Sequence, residues 1–332
     1  MTPSWQHTKQ DKAFFQRELD AFVPQRIFDS HIHLGPRRDY IAKHADLVAN
    51  TPEIADKITY LADISWLLPQ RNVVGAMAIP NILGGPEIER GNQYVAREWP
   101  ESHALMVPPT SNVDDILNAI SATGPKALKC YHLLSDRKNT MDSALEEFLP
   151  ETTVAAAHEA RLPIIVHLVR PRALGDMGNQ EAVNRLCRKY PNMNMILAHM
   201  GRGFNPHHTI DGIKHVSGLD NLYFDTSCVT ECGAMEAVLR VYGPERLMWG
   251  SDYPFSHFHG RCICVNDNFV WLYDDNFDPA PLSPDPKLEF SLVGLESLRC
   301  LKVACQHCDL SDSQVEAIFC DNALSLFGQL SS

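Results

Sequence analysis

Eight short apolar runs separated by helix-length segments constrain this 332-residue chain more than any other feature. They cover residues 27–34, 73–80, 103–110, 127–134, 162–169, 193–201, 222–227 and 246–254. Helical patterns fill the gaps at 87–99, 113–122, 142–160, 180–189 and 231–242. Eight strands with intervening helices are what a closed parallel (β/α)8 barrel of the α/β class requires, and such barrels carry their chemistry at the C-terminal strand ends. An open doubly wound sheet competes, but no glycine-rich phosphate turn follows the first run. At 45% hydrophobic and 21% charged, the composition is ordinary for a globular chain that buries one large core.

Three segments fall outside the repeat, so 1–332 reads as one barrel domain with additions. Residues 1–26 form an N-terminal extension with one helical stretch at 11–22. The segment 37–72 is too long for a simple βα loop and reads as a helical lid over the barrel mouth. Residues 265–332 read as a C-terminal helical extension, with an irregular Pro-rich stretch at 276–287. Its last helix opens at Ser311 with Gln314 three residues on, a capping-box pattern, and ends near Gly328.

Composition also narrows the partners. The start Met1-Thr2-Pro3-Ser4-Trp5 lacks a basic-then-apolar leader and no apolar run nears 18 residues, so a cytoplasmic protein without membrane contact is expected. Ten irregularly spaced cysteines fit reduced thiols. Cys300, Cys305 and Cys308 have cluster-like spacing, but they sit in a helical pattern with no distant fourth ligand. A net charge of −12 without a basic stripe argues against nucleic acid. A homodimer is left open.

The polar residues at the strand ends suggest the chemistry. His31 and His33, in Asp29-Ser30-His31-Ile32-His33, lie at i and i+2 of the first run and so share one face of a strand. His167, His199 and Asp252 each close a later apolar run where it gives way to Gly, Arg or Pro. Three or four imidazoles with one carboxylate suit a divalent ion such as Zn²⁺ with a position left for water, whose pKa the ion lowers. His31, His33, His167 and Asp252 are the expected ligands. Asp252 can also act as a base, and His199 is either a ligand or a catalytic neighbour of the water or substrate.

Together with Gly250-Ser251-Asp252-Tyr253-Pro254-Phe255 and the terminal run from Cys320 to Gly328, these motifs resemble the amidohydrolase superfamily. The closing Asp-Tyr-Pro-Phe and the terminal run are similar to its amidohydrolase-2 branch, related to aminocarboxymuconate semialdehyde decarboxylase. The resemblance spans about residues 27–328. It implies a metal-dependent barrel with ligands at His31, His33, His167 and Asp252 and a catalytic His199. It leaves the reaction open among lactone and other hydrolysis, hydration and non-oxidative decarboxylation.

Lys129, on the fourth run, stands where two-metal members of the superfamily carry a carboxylated bridging lysine. An uncarboxylated Lys129 beside a single Zn²⁺ is favoured, with Mn²⁺ as the alternative metal, because the branch is mainly mononuclear. A lysine on an apolar strand needs an anionic partner or a cavity, so it joins the substrate-binding candidates. Arg170, Arg172 and Arg202 follow His167 and His199 closely and could clamp an anionic substrate, or pair with acids such as Asp176 and Asp211. The expected activity is hydrolysis of a small organic acid, lactone or related carboxylated substrate. A decarboxylase on the same site and a catalytically inactive binding barrel are the competing readings.

Overall fold

The computed structural model describes residues 2–81, 87–278 and 289–328. Its barrel strands are β1 (Arg26–Pro36), β2 (Asn72–Pro80), β3 (Ala104–Met106), β4 (Ala127–Cys130), β5 (Ile164–Val166), β6 (Met195–Leu197), β7 (Leu222–Asp225) and β8 (Leu247–Met248). β1 pairs in parallel with β2, and β3 to β8 form a parallel sheet in chain order. Two backbone seams join these sheets. At one, Ala78 N–H donates to Ser102 O at 3.1 Å beside a parallel bridge from Ala78 to His103. At the other, Ser30 N–H donates to Trp249 O at 3.1 Å, and Asp252 N–H to His31 O and His33 N–H to Tyr253 O, both at 2.8 Å. The strands therefore close into a (β/α)8 barrel, which disposes of the open sheet.

A helix follows each strand: Lys57–Asp63, Ile88–Glu98, Val113–Thr123, Glu151–Ala160, Met177–Lys189, Pro206–Ile213, Cys232–Tyr242 and Val293–His307. Local sequence sets their ends. The Asn112 side chain accepts from Asp115 N–H at 2.9 Å to start Val113–Thr123, and Gly124 stops it in the left-handed region at φ 63°.

Strand alternation sorts the core into two sets. Leu128, Ile164, Val166, Met195, Leu197 and Leu247 pack outward under the helices, while Met77, Ile79, Ala127, Ile165, Ile196 and Met248 fill the interior. The same period turns Lys129, two past Ala127, and His167, two past Ile165, towards the inside. On β1 a register irregularity between Asp29 and Ile32 switches this parity. Phe28 and His31, three residues apart, can thus both face inward. Phe28 stacks on Phe327 of the terminal helix Asn322–Phe327, ring centroids 5.8 Å apart, which plugs the barrel opposite the site.

The additions depart in part from expectation. The N-terminal helix is Lys9–Phe14, continued by a π turn at Phe15–Leu19. The 37–72 segment holds the short helix Ala42–Ala45 and a two-residue strand, Ile54–Ala55, as well as Lys57–Asp63. Tyr60 OH donates to Asp29 at 2.9 Å and Tyr253 OH to Asp63 at 2.9 Å, which fixes the segment to both ends of the closing seam. The C-terminal extension is not helical throughout: it is entered through a hairpin of β9 (Gly260–Val265) and β10 (Asn268–Tyr273). Aromatics at 269, 271 and 273 carry the strand period, and Asn266 tolerates the positive φ of 53° that the tight turn requires. The capping box at Ser311 and Gln314 forms as expected. From residue 279 to 288 the Pro-rich stretch lies outside the described residues. All ten cysteines are free. No described helix is long and apolar enough to cross a membrane.

Candidate metal centre

His31 and His33 arrive from β1, Lys129 from β4, His167 from the end of β5, His199 from the end of β6 and Asp252 from the loop after β8. All six line one cavity of about 250 Å³ at the C-terminal mouth of the barrel, walled by Leu47, Tyr131, Phe204, Phe255, Trp271 and Tyr273. Two of them stand on strained backbone. His199, Met200 and Arg202 have φ of 55°, 57° and 64°, and Asp252 has φ of 62°, left-handed values that cost roughly 1–2 kcal/mol per non-glycine residue. Such strain recurs where a side chain must be aimed.

The hydrogen bonds on the far sides of the rings set the tautomers. His33 Nδ1 lies 3.0 Å from Pro80 O and His199 Nδ1 lies 2.8 Å from Ser227 O. A carbonyl only accepts, so both Nδ1 atoms carry a proton and each ring turns its Nε2 the other way. His31 Nδ1 faces Asp225 Oδ2 at 3.0 Å. Burial, together with the Lys129 ammonium, pushes His31 down to about 4, so the ring is neutral at pH 7. Its Nε2 is buried and has no hydrogen-bond partner. A buried lone pair calls for a partner, and a metal ion supplies one.

The donor spacing fits a small cation. His31 Nε2 and His33 Nε2 lie 3.7 and 3.5 Å from Asp252 Oδ1, close to the edge of about 3.4 Å that a tetrahedron with 2.0–2.1 Å bonds requires. Burial pushes the Asp252 carboxyl up, but His199, His33 and His31 outweigh it and hold it below the usual carboxylate range. His31, His199 and Asp252 form the tightest set, with donor atoms all within 4.8 Å of one another. His167 stands one ring further out, its centroid 4.9 Å from that of His199. The geometry thus brings His199 at least as close as His167.

Asp225, which sequence reasoning passed over, organises this cluster. It is buried at the end of β7 and accepts from His31 Nδ1, from His199 N–H at 2.8 Å, and from Ser227 N–H at 3.2 Å and Oγ at 2.5 Å. Burial pushes Asp225 up, yet these neighbours, His31 foremost, pull it down to about 2. The signal was present: Asp225 ends an apolar run as His167 and Asp252 do. Asp29 is also buried; desolvation raises it to about 7 despite donors from Ser251, Tyr60 and His31.

The cationic candidates separate. Lys129 is 1% exposed, and burial lowers it to about 8 against the pull of Asp225 and Asp252. Its Nζ sits 5.7 Å from the Tyr131 ring centroid. Arg202 is 9% exposed, donates to Arg170 O at 2.8 Å and lies over the Phe269 ring at 5.1 Å. Among the described residues no carboxylate pairs with it. None of the three arginines is among the residues lining the cavity, and Arg170 and Arg172 are engaged in ion pairs. Arg170 pairs with Asp176 at 2.8 Å, and Asp176 also caps Met177–Lys189. Arg172 pairs with Asp211, on the helix Pro206–Ile213, at 2.7 Å and with Asp267, in the turn of the hairpin, at 3.1 Å. Both arginines thus make ion pairs of the kind that their spacing left open. His257 and His259 are buried pins, bonded to Asp63 O and Asp11 at 2.9 Å each.

Several solved structures share this architecture. An amidohydrolase from Burkholderia multivorans with bound zinc is similar at a TM-score of 0.57 and 14% identity, over 92% of this chain and 99% of that one. The 5-carboxyvanillate decarboxylase of Sphingomonas paucimobilis gives 0.52 at 15% identity, over 93% and 100%. The 4-oxalomesaconate hydratase of Rhodopseudomonas palustris gives 0.53 at 14%, over 91% and 95%. Identities this low speak to the fold alone. No curated protein matches the chain. The sequence model of the amidohydrolase-2 family, described as Amidohydrolase, matches residues 106–329, well over half of the chain. With the barrel closed and the histidine and aspartate donors gathered at its mouth, the chain belongs to the amidohydrolase-2 family.

Proposed function

We propose that the chain is a metal-dependent hydrolase acting on a small organic acid, lactone or related carboxylated substrate. The observation that carries this reading is the orphaned His31 Nε2, aimed with His33 at an ionised Asp252. His31, His33, His167 and Asp252 would hold one divalent ion, Zn²⁺ in the first instance. When bound, such an ion supplies a Lewis acid that polarises a substrate oxygen and makes a nearby water acidic enough to attack at neutral pH. Asp252 offers its second oxygen to accept a proton. His199, its Nδ1–H held by Ser227 O, presents Nε2 to take or return one. Lys129, in the cavity lining, and Arg202, outside it over the Phe269 ring, supply positive charge for a carboxylate.

The same features favour a second reading, non-oxidative decarboxylation, in which Lys129 would pair with the carboxylate that is lost and His199 would supply the proton that replaces CO₂ on the carbon. Elemental analysis of wild type against the double variant His31→Ala, His33→Ala tests the centre; equal metal content in both overturns it. A panel of lactones followed by acid release, and of aromatic acids followed by CO₂ release, separates the reactions. Arg202→Met should lower kcat/KM by roughly ten- to a hundredfold, more for an acid than for its neutral ester or amide. Equal effects on both would remove the anionic substrate from the proposal.

A further inference from the structure

The hairpin β9–β10 stands apart from the barrel repeat, yet it builds one wall of the cavity. Phe269, Trp271 and Tyr273 alternate along β10 and therefore share one face, while Val270, 42% exposed, lies on the other. That aromatic face continues directly from the reactive end of the site. The His199 ring lies 5.4 Å from Phe204, and Phe204 lies 5.3 Å from Trp271. Trp271 and Tyr273 are stacked, 5.7 Å apart with only 6° between their planes. Phe269 packs on Phe204 at 5.3 Å and supports the Arg202 guanidinium.

The hairpin is held firmly. Asn205 Nδ2 donates to Asn266 O at 3.0 Å and to Asn268 O at 2.9 Å, and Thr230 Oγ1 donates to Cys262 O at 2.7 Å. Arg172 grips the turn through Asp267. Arg172 is thus spent on placing the hairpin, which explains its absence from the cavity lining.

We propose that β9–β10 is the specificity element of this site: the Phe204, Trp271 and Tyr273 wall selects an acid whose group next to the reacting carbon is a planar ring over one with a flexible chain. A substrate engaged at His199 meets this wall first at Phe204, whose ring packs on that of His199 and leads on to Trp271. Flat aromatic walls reward stacked or edge-on rings beyond the area they bury, whereas a chain loses rotamer freedom on entering. The proposal deepens the function given above and rests on the same cavity being the substrate site.

The test is calorimetric titration of the metal-loaded protein with benzoate and with hexanoate, two monoanions that differ in ring against chain. Wild type is expected to prefer benzoate. Trp271→Leu should weaken benzoate by roughly three- to tenfold and leave hexanoate unchanged, which also reports an intact fold. Trp271→Phe should keep the preference, as should Val270→Ala on the outer face. Equal binding of both acids by wild type, equal weakening of both by Trp271→Leu, or an equal effect of Val270→Ala overturns the proposal. Turnover plays no part in the titration. A protein that prefers benzoate but hydrolyses no lactone refutes the assigned reaction and leaves the hairpin's role standing; lactone hydrolysis without ring preference does the reverse.

Discussion

Replacing Asp225 by Asn tests the organisation of the site without touching a group that faces the cavity centre. The carboxylate receives four donors: His31 Nδ1 on one oxygen, and His199 N–H, Ser227 N–H and Ser227 Oγ on the other. An amide can keep the second group by turning its oxygen towards His199 and Ser227. Its NH₂ then meets the Nδ1–H of His31 at a separation that was 3.0 Å, donor against donor. The conflict is relieved if His31 moves its proton to Nε2, but that removes the lone pair aimed at Asp252. Substitutions of such outer partners lower metal affinity by roughly 10- to 100-fold, equivalent to about 1.4–2.7 kcal/mol. Competition for Zn²⁺ against a chromophoric chelator, with a thermal melt to establish folding, measures it. A folded Asp225→Asn protein that binds Zn²⁺ within about twofold of wild type would refute the reasoning.

Three further expectations concern other links of the argument. His199→Asn should lower turnover by on the order of 10²–10⁴ while the metal is retained; loss of the metal would make His199 a ligand, and unchanged turnover would make it structural. Gly250→Ala would place a methyl 2.8 Å from Ser227 Oγ, 2.9 Å from Ser30 Oγ and 3.0 Å from His31 Cβ, so stability should fall by about 1–3 kcal/mol together with metal affinity; a variant unchanged in melting and in Zn²⁺ titration would contradict this packing. Burial raises the Asp11 carboxyl, but bonds from His259 and Thr8 outweigh it and hold it below its ordinary value. Its stabilisation is therefore full above the unfolded pKa of about 4 and lost as pH falls through the folded value. Asp11→Asn should cost about 1–3 kcal/mol at pH 7 in denaturant unfolding, with the gap to wild type closing as pH falls below the ordinary carboxylate range; a gap constant with pH would contradict the assignment.

The strand rhythm, the His-x-His pair on β1 and the polar residues at the ends of β5, β6 and β8 were legible in the sequence because they depend on local periodicity. An apolar run of a few residues closed by a histidine or aspartate is itself the end of a barrel strand, and closure of the barrel converts that position into a place at the mouth. The capping box at Ser311 is legible for the same reason, since its partners lie three residues apart. Other features depend on which loops meet in space. Arg170, Arg172 and Arg202 all follow a site histidine in sequence, yet Arg170 finds Asp176 in its own loop, Arg172 finds Asp211 on the helix Pro206–Ile213 and Asp267 in the hairpin turn, and Arg202 is buried without an acid. Asp225 gained its importance only when β7 was laid between His199 and His31. The alternation of Phe269, Trp271 and Tyr273 was passed over in favour of a helical extension, and it was docking on Phe204 that turned this strand into a wall of the cavity. Periodicity is written in neighbours along the chain; pairing between distant loops is set by the folded backbone.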